Sequence, residues 1–319
     1  MSFVGGGTDL PSFYRDHGGA VLSTAIDRYV YVSVNSKFGG GIRLAYSETE
    51  EVDRLEEIKH RLFRAVFECL DLKGGVEVTT TADIPSKGTG LGSSSSFTVG
   101  LLHVMSAYLG RYVSSEDLAR LACEVELDRC GEPIGKQDQY AAAFGGINLI
   151  EFRSDDSVNV QPVVMSSEVK TAFERSIISF YTGRTRSASK ILETQSRAVG
   201  ESGPVRDSLK RMTQLAYVMR NALSGGTLDD VGAILQENWA LKKQLSAGIS
   251  DDQIDAWHRA GVEAGASGGK LLGAGASGFM MFVAPEDRHD AIARAVGLPV
   301  VDLRLEPLGS RILFYHPPR

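Results

Sequence analysis

The stretch IPSKGTGLGSSSSFTVG, residues 84–100, restricts the fold more than any other part of the sequence. Gly88, Gly90 and Gly92 precede four serines, and the serines continue without a break into FTVGLLHVMSAYLG, an apolar run typical of a buried helix. A flexible linker would be followed by the start of a separate element, so the pattern instead predicts a strand, a glycine loop and a helix N-terminus. Because the first N–H groups of a helix are unpaired and lie at the positive end of its dipole, such a loop attracts phosphate. A simple glycine turn before a serine-capped helix is the alternative interpretation.

Two common phosphate-binding patterns do not match this stretch. Gly92 is followed by Ser93 where a Walker A loop requires lysine, and no GxGxxG occurs between residues 84 and 96. The sequence GAGASG, residues 273–278, does have the GxGxxG spacing, but a strand-like FMMFVA follows it where a dinucleotide fingerprint would open a helix. We interpret GAGASG either as a loop that lets its backbone approach another group closely or as a tight hairpin.

A third glycine cluster, GGGTDLP at residues 5–11, presents the side chain of Asp9 after three glycines. A carboxylate on a glycine loop is well placed to accept hydrogen bonds from sugar hydroxyls. Asp and Gly before Pro are also typical of an ordinary turn.

The bulk composition argues against a nucleic-acid-binding or membrane protein. A chain of 319 residues allows one large or two medium domains, and its net charge of -6 lacks the cationic field that nucleic acids and membrane surfaces require. No apolar run approaches the roughly 20 residues of a membrane span, and the N-terminus does not resemble a signal peptide, so the cytoplasm is the expected compartment. Cys69, Cys123 and Cys130 have no CxxC spacing and the histidines are scattered singly, which predicts neither a disulfide framework nor a histidine metal site.

Predicted strands and helices alternate without a regular βαβ rhythm, which favours an α+β architecture. Apolar residues at a helical period predict a helix over 50–70, and a final strand is expected over 311–315. Residues 153–168 are polar and are expected to be irregular. We therefore divide the chain there, into domains 1–160 and 161–319.

The three glycine clusters, with GKQDQ between the second and the third, resemble the GHMP family of small-molecule kinases over nearly the whole chain. Within that family, FVGGGTDLPSFYRDHGGAVLSTAIDRYVYV and GEPIGKQDQYAAAFGG are similar to kinases of D-glycero-D-manno-heptose phosphate. The resemblance implies an ATP-binding N-terminal domain of the ribosomal protein S5 domain 2-like type and a ferredoxin-like C-terminal domain, with the active site between them.

The resemblance also implies roles for individual residues. Ser94 and Glu126 would hold Mg²⁺, Asp138 is aligned with the catalytic aspartate of the family, and Lys136 beside it is a second catalytic candidate. The residues expected to bind ATP are Gly88, Gly90, Leu91, Gly92, Ser93, Ser94 and Ser95. Those expected to bind the substrate are Gly7, Thr8, Asp9, Arg186, Gly273 and Gly275.

Several of these roles have alternatives at the level of the residues alone. Helical periodicity does not choose between Glu124 and Glu126, because the apolar face of that helix lies close to both. Asp138 could equally be a capping or ion-pairing residue. Arg184 has the alternative of a solvated basic turn, and Arg186 is preferred because it matches the heptose-kinase pattern.

The resemblance implies that the acceptor is the anomeric hydroxyl of a heptose 7-phosphate and that the product is the 1,7-bisphosphate used for activated heptose in surface polysaccharide. A kinase of the same fold for a neutral sugar such as fucose and a sugar-binding protein without catalysis are the alternatives. The expected partners are ATP, Mg²⁺ and a small sugar phosphate, with neither nucleic acid nor membrane, and the sequence is compatible with a homo-oligomer.

The sequence departs from the family pattern in two places. Family members usually carry about ten further residues, with a basic, proline-containing strand, before the first glycine cluster. Either the start of this chain is truncated or that strand is absent, which affects one adenine-side or substrate-side contact. The third cluster reads GAGASG where many relatives have an unbroken glycine run, so Ala276 and Ser277 are expected to limit the backbone there.

Overall fold

The fold was analysed in a computed structural model, which describes residues 1–84, 90–184 and 188–316. The strands, in chain order, are β1 (Ser2–Val4), β2 (Gly19–Ile26), β3 (Val30–Ser36), β4 (Ile42–Ala45), β5 (Thr49–Val52), β6 (Val76–Ala82), β7 (Ile147–Phe152), β8 (Val158–Pro162), β9 (Ile177–Tyr181), β10 (Gly268–Leu271), β11 (Phe279–Val283) and β12 (Leu305–Glu306). The α-helices are α1 (Pro11–His17), α2 (Arg61–Cys69), α3 (Ser93–Tyr108), α4 (Ser115–Cys123), α5 (Gln137–Phe144), α6 (Ser167–Arg175), α7 (Ala188–Glu201), α8 (Gly203–Gly225), α9 (Asp229–Lys243), α10 (Asp252–Glu263) and α11 (His289–Val296). A π-helical segment, Glu124–Arg129, continues α4.

The strands form three sheets. The first has the order β1-β2-β7-β8, and β12 also pairs with β2. The second has the order β3-β6-β4-β5, with β4 and β6 parallel, and the third has the order β10-β11-β9. The other strand pairs are antiparallel, and helices pack on the sheets without a βαβ repeat, so the α+β prediction is confirmed.

Local predictions hold where the sequence pattern is strong. The helix predicted after the second glycine loop is confirmed as α3, which begins at Ser93. In α4, Ser114 accepts a hydrogen bond from the N–H of Asp117 and so caps the helix. The helix predicted over 50–70 is wrong in its first half, because β5 pairs with β4 there and the helix starts only at Arg61. The expected strand over 311–315 is absent from the described part of the chain, which has no strand after β12.

The segment 153–168 is not irregular throughout, because β8 pairs with β7 from Val158 to Pro162. A boundary at residue 160 would cut this strand. We therefore propose that the first domain extends at least to Pro162. The two halves also share structure, since β12 returns to the first sheet and α8 and α9 pack on β2 and β1.

This arrangement brings the three glycine loops to one region. The first lies between β1 and α1, the second immediately precedes α3, and the third joins β10 to β11. None of the helices in the described ranges is long and apolar enough to cross a membrane.

Candidate active site

The second glycine loop lets the N-terminus of α3 approach α5. Gly92 is the N-cap residue of α3 and has φ +70°, a left-handed conformation that glycine adopts without strain. A Cβ atom at this position would lie 3.1 Å from Cγ of Asp138. Gly92 also offers no side chain to cap the helix, so the first N–H groups of α3 have no side-chain cap there.

Glu126 is the fully buried carboxylate of the region. Its Oε1 accepts a hydrogen bond from the Ser94 hydroxyl at 2.7 Å. Its Oε2 accepts from the Ser95 hydroxyl at 2.8 Å and from the Gln139 amide at 2.6 Å. Burial raises the pKa of Glu126, and the hydrogen bonds from these side chains oppose the increase only in part.

A change of helix type determines which of Glu124 and Glu126 lies beside Ser94. In the π-helical segment the N–H of Cys130 donates to the carbonyl of Val125, five residues back, which widens the turn and directs Glu126 towards α3. Glu124 lies on the outside and its carboxylate accepts hydrogen bonds from Arg129 at 2.7 and 3.1 Å. The carboxylate beside Ser94 is therefore Glu126.

Asp138 lies in the first turn of α5, between Gly92 and the buried carboxylates. Burial is the main cause that raises its pKa to about 6; the negative charges of Asp9 and Glu126 act in the same direction, and the terminal amine of Met1 opposes them. A carboxylate with this pKa is ionised at neutral pH and is still basic enough to take a proton from a hydroxyl.

The position of the Lys136 ammonium does not support the catalytic role suggested for it. Its ammonium donates to the carbonyl of Asp156 at 3.1 Å and lies 3.5 Å from Oδ1 of the same residue. It also lies 4.9 Å from the centre of the Tyr14 ring. Residues two apart at a helix start point in different directions, so Lys136 faces a separate cleft.

The first glycine loop holds the Asp9 carboxylate in a backbone cradle. Oδ1 accepts from the N–H of Gly7 at 2.9 Å and Oδ2 from the N–H of Gln137 at 3.1 Å. A Cβ atom on Gly135 would lie 1.9 Å from Oδ2, so only glycine fits at that position. Asp9 is 2% exposed, and burial raises its pKa while these N–H groups and the charge of Lys242 lower it.

The expectation that Thr8 binds a sugar hydroxyl is not supported by its position. The side chain is fully buried, its hydroxyl donates to the carbonyl of Ala20 at 3.0 Å, and it accepts from the N–H of Ala20 at 3.1 Å. Both functions of the hydroxyl are therefore used to fasten the loop to β2.

The third glycine loop packs directly on the second. Gly273 has φ +79°, and a Cβ atom on it would lie 2.6 Å from Cα of Gly90. Gly275 approaches Ile249 in the same way, at 2.8 Å from its Cα. Ala276 adopts φ +63° despite its side chain, so the alanine in GAGASG does not prevent a left-handed turn. The alternative interpretation of GAGASG as a tight hairpin alone does not account for this contact between the two loops.

A cavity of about 940 Å³ opens beside the second glycine loop. Gly92, Ser93, Ser96 and Asp138 line one end of it. Further lining residues, which the sequence argument missed, come from β3, α3 and the C-terminal segment and include Tyr29, Tyr31, Val32, Val34, His103, Tyr108, Phe314 and Tyr315. The segment RYVYVSV could have indicated this wall of the cavity, because aromatic and β-branched residues alternate in it. A half-exposed strand face of that type suits a planar base.

Two predicted residues, Gly88 and Arg186, lie outside the described residues. Arg184, the other cation of that turn, forms an ion pair with Asp251 at 2.7 Å.

The residues present fit ATP and Mg²⁺. The cavity joins an apolar, aromatic wall to a glycine loop with a helix N-terminus, which suits a nucleoside triphosphate. Ser94 and Glu126 offer a hydroxyl and a carboxylate, the oxygen ligands that Mg²⁺ prefers, and Mg²⁺ commonly takes one or two protein ligands together with phosphates. No group of three or more His, Cys, Asp or Glu in the described ranges could hold a metal ion by itself, so such a shared site fits better than an all-protein cage.

Comparison with known proteins identifies the family. The sequence matches the profile for the GHMP kinases N terminal domain over residues 57–146 and that for the GHMP kinases C terminal over residues 219–300. It is also 30% identical over 305 residues to the D-glycero-alpha-D-manno-heptose 7-phosphate kinase of Campylobacter jejuni, covering 92% of this chain and 89% of the relative. The chain belongs to the GHMP kinase family.

Other GHMP kinases agree with this assignment. The crystal structure of a D-glycero-D-manno-heptose 1-phosphate kinase from Bacteroides thetaiotaomicron superposes with a TM-score of 0.79 at 27% identity, covering 97% of this chain and 94% of the other. The bifunctional fucokinase/GDP-fucose pyrophosphorylase of Arabidopsis thaliana is 26% identical over 311 residues, covering 90% of this chain and 29% of the plant protein. The predicted two-domain GHMP kinase fold is confirmed, and the relatives support the prediction of an ATP-dependent sugar kinase.

Proposed function

We propose that this GHMP kinase transfers a phosphoryl group from ATP to the anomeric hydroxyl of D-glycero-D-manno-heptose 7-phosphate, giving the 1,7-bisphosphate. The observation that carries the catalytic part is the meeting of Asp138 with the start of α3, next to the Ser94–Glu126 pair. The similarity to two heptose phosphate kinases over more than nine-tenths of the chain supports the choice of acceptor.

The proposed division of labour uses few groups. Phosphoryl transfer requires positioning and charge neutralisation more than covalent chemistry. The N–H groups of residues 90–95 bind the phosphates, and Ser94 and Glu126 hold Mg²⁺, which when bound offsets phosphate charge. Asp138 orients the acceptor hydroxyl and takes its proton, and Asp9 accepts hydrogen bonds from other hydroxyls of the sugar.

The loop contacts add a second element to this proposal. Because the third glycine loop touches Gly90 through Gly273, it supports the phosphate-binding loop from the side of the C-terminal half. Gly275, packed on Ile249, fixes the same turn. We propose an indirect role for both glycines, in shaping the site, and a direct contact with the 7-phosphate for Arg186.

A neutral-sugar kinase is the second candidate. The fucokinase similarity covers 90% of the chain, and Arg184 is already paired with Asp251. A neutral acceptor would have no use for Arg186. The two candidates therefore differ in whether a phosphate on the acceptor increases kcat/KM.

The test is phosphorus NMR of reactions that contain Mg·ATP and one acceptor each: heptose 7-phosphate, the unphosphorylated heptose, and fucose. The proposal predicts a new anomeric phosphate signal, formed fastest from the 7-phosphate and abolished in Asp138→Asn. Asp128→Asn, the same change at an exposed site nearby, is the matched control and keeps full activity. Equal turnover of heptose with and without the 7-phosphate would overturn the choice of acceptor, and full turnover by Asp138→Asn would overturn the role of the base.

A further inference from the structure

Helix α9, in the C-terminal half, contacts the first glycine loop through two side-chain hydrogen bonds. Asn238 and Lys242 lie one turn apart on α9, so they share a face. The Asn238 Oδ1 atom accepts from the N–H of Gly5 at 3.1 Å. The Lys242 ammonium donates to the carbonyl of Gly6 at 3.0 Å.

The Gly6 carbonyl and the Gly7 N–H belong to one peptide group. Lys242 donates to the oxygen of that group, and its N–H donates to Oδ1 of Asp9 at 2.9 Å. A positive charge on the carbonyl oxygen polarises the peptide and strengthens the hydrogen bond that its N–H donates. One peptide thus connects an ammonium on α9 to the carboxylate proposed to bind the sugar.

Gln195, on α7, contacts both Lys242 and the first glycine loop. Its Oε1 accepts from the Lys242 ammonium at 3.4 Å, and its Nε2 lies 2.3 Å from where a Cβ atom on Gly7 would be. A Cβ atom on residue 7 would therefore displace the Gln195 amide, and the φ of +107° favours glycine independently of that contact. Gln195 is fully buried, and its Nε2 has no hydrogen-bond partner among the described residues.

Burial of the Lys242 ammonium has an unfavourable desolvation free energy. The residue is 5% exposed, and the ion pairs found in the described ranges do not include it. Burial lowers its pKa to about 8, and the charge of Asp9 raises it. Removing an ammonium from water without a directly paired acid is costly, so the hydrogen bonds to Gly6 and Gln195 and the charge of Asp9 must offset that cost.

We propose that Lys242 is a positioning residue of the acceptor site, which acts through the Gly6–Gly7 peptide to keep the Asp9 carboxylate oriented and ionised for the hydroxyl groups of the sugar. The inference rests on the proposed function in one respect, that Asp9 binds the acceptor. It adds a residue from the C-terminal half to a site otherwise built on the first loop and α5.

Other charged groups in the region act less directly on this pair. Lys270 lies near Lys242 and donates to the carbonyls of Ser2 and Phe3 at 2.8 and 3.1 Å, so it holds β1 and not the Asp9 loop. Asp138 faces Asp9 from α5 and is itself faced by Glu126 and the terminal amine. Lys270 is 4% exposed, which makes it a matched buried control for Lys242.

The kinetic test compares Lys242→Met with Lys270→Met and with Lys243→Met, an exposed neighbour paired with Asp255. Loss of the Lys242 charge raises the pKa of Asp9, so more of the carboxyl is protonated as pH falls. A rise of half to one pKa unit gives an acceptor KM about threefold to tenfold higher on the acid side, with the KM for ATP unchanged. Neither control changes the pH dependence of the acceptor KM, although Lys270→Met lowers the melting temperature.

A second measurement does not need turnover. Carbon-13 NMR of aspartate-labelled protein follows the titration of Asp9, with its signal assigned from Asp9→Asn. The proposal predicts a higher Asp9 pKa in Lys242→Met and an unchanged one in Lys270→Met; equal values in wild type and Lys242→Met would overturn it. If no acceptor in the panel is phosphorylated, the proposed function fails, and this titration still decides the role of Lys242.

Discussion

Replacing Glu126 with glutamine should separate the stability of this kinase from its activity. The carboxylate accepts three hydrogen bonds, and glutamine keeps an oxygen for the Ser95 hydroxyl and the Gln139 amide. Its NH₂ group then faces the Ser94 hydroxyl, which can rotate and accept instead of donating. The substitution therefore leaves no donor facing a donor, while it removes a buried negative charge.

The sign of the stability change follows from the pKa of Glu126. Burial raises that pKa above the ordinary value of 4.5, even with the three hydrogen bonds in place. As pH rises above 4.5 the unfolded chain releases this proton more readily than the native protein, so wild type loses stability while the glutamine variant does not. Each unit by which the pKa is raised corresponds to about 1.4 kcal/mol. We therefore expect Glu126→Gln to be at least as stable as wild type near neutral pH, and its advantage over wild type to grow as pH rises from 4.5.

The activity should change in the opposite direction. Loss of the proposed magnesium ligand should lower kcat/KM by about 100-fold or more, and the activity lost should be partly recovered at high Mg²⁺ concentration. Thermal melting with a chelator and without nucleotide measures stability, and a magnesium titration of turnover measures function. Glu124→Gln, which removes only the outward contact with Arg129, is the control. A variant that melts well below wild type yet keeps its activity would refute the reasoning.

Three further predictions concern the neighbouring groups. Below pH about 6, kcat/KM of wild type should fall about tenfold per pH unit as Asp138 becomes protonated, and a profile that stays flat to pH 5 would contradict its role as base. Gly135→Ala should displace the Asp9 carboxylate and raise the KM for the acceptor at least about tenfold, with a smaller change in the KM for ATP, because the added Cβ meets Oδ2 at 1.9 Å; separate KM measurements for the two substrates decide this. Lys136→Met should change kcat less than about threefold, because its ammonium contacts Asp156 rather than the reacting groups, and a loss of 100-fold would restore it to the catalytic set.

Much of the site could be predicted because its parts carry strong local patterns. Glycine followed by serines and an apolar helix fixed the position of Gly92 at the start of α3, and the family resemblance selected Ser94, Glu126 and Asp138, which the fold brings together. Their roles in catalysis remain predictions. Asp9 also lies near this group, but as the centre of a backbone cradle that no local pattern describes.

The errors arise where tertiary contacts decide the outcome. From the sequence, the Thr8 hydroxyl is a candidate for binding sugar. In the structure β2 lies beside it, and the hydroxyl donates to and accepts from the backbone of Ala20. Lys136 is two residues from Asp138 in the chain, yet its side chain reaches Asp156. The hydrogen bond from Lys242 to Gly6 joins residues 236 positions apart, and a single sequence carries no signal for such a contact.

The direction of the Glu126 side chain depends on the number of residues in the π-helical segment Glu124–Arg129. In an ordinary α-helix each residue is rotated by about 100° from the last, so deleting one exposed residue such as Asp128 would tighten the turn and aim Glu126 away from Ser94. Every side chain proposed to act on ATP or the sugar would still be present. A homologue that retains all of these residues but lacks one position in this segment would therefore be expected to lack the proposed contact between Ser94 and Glu126 for Mg²⁺.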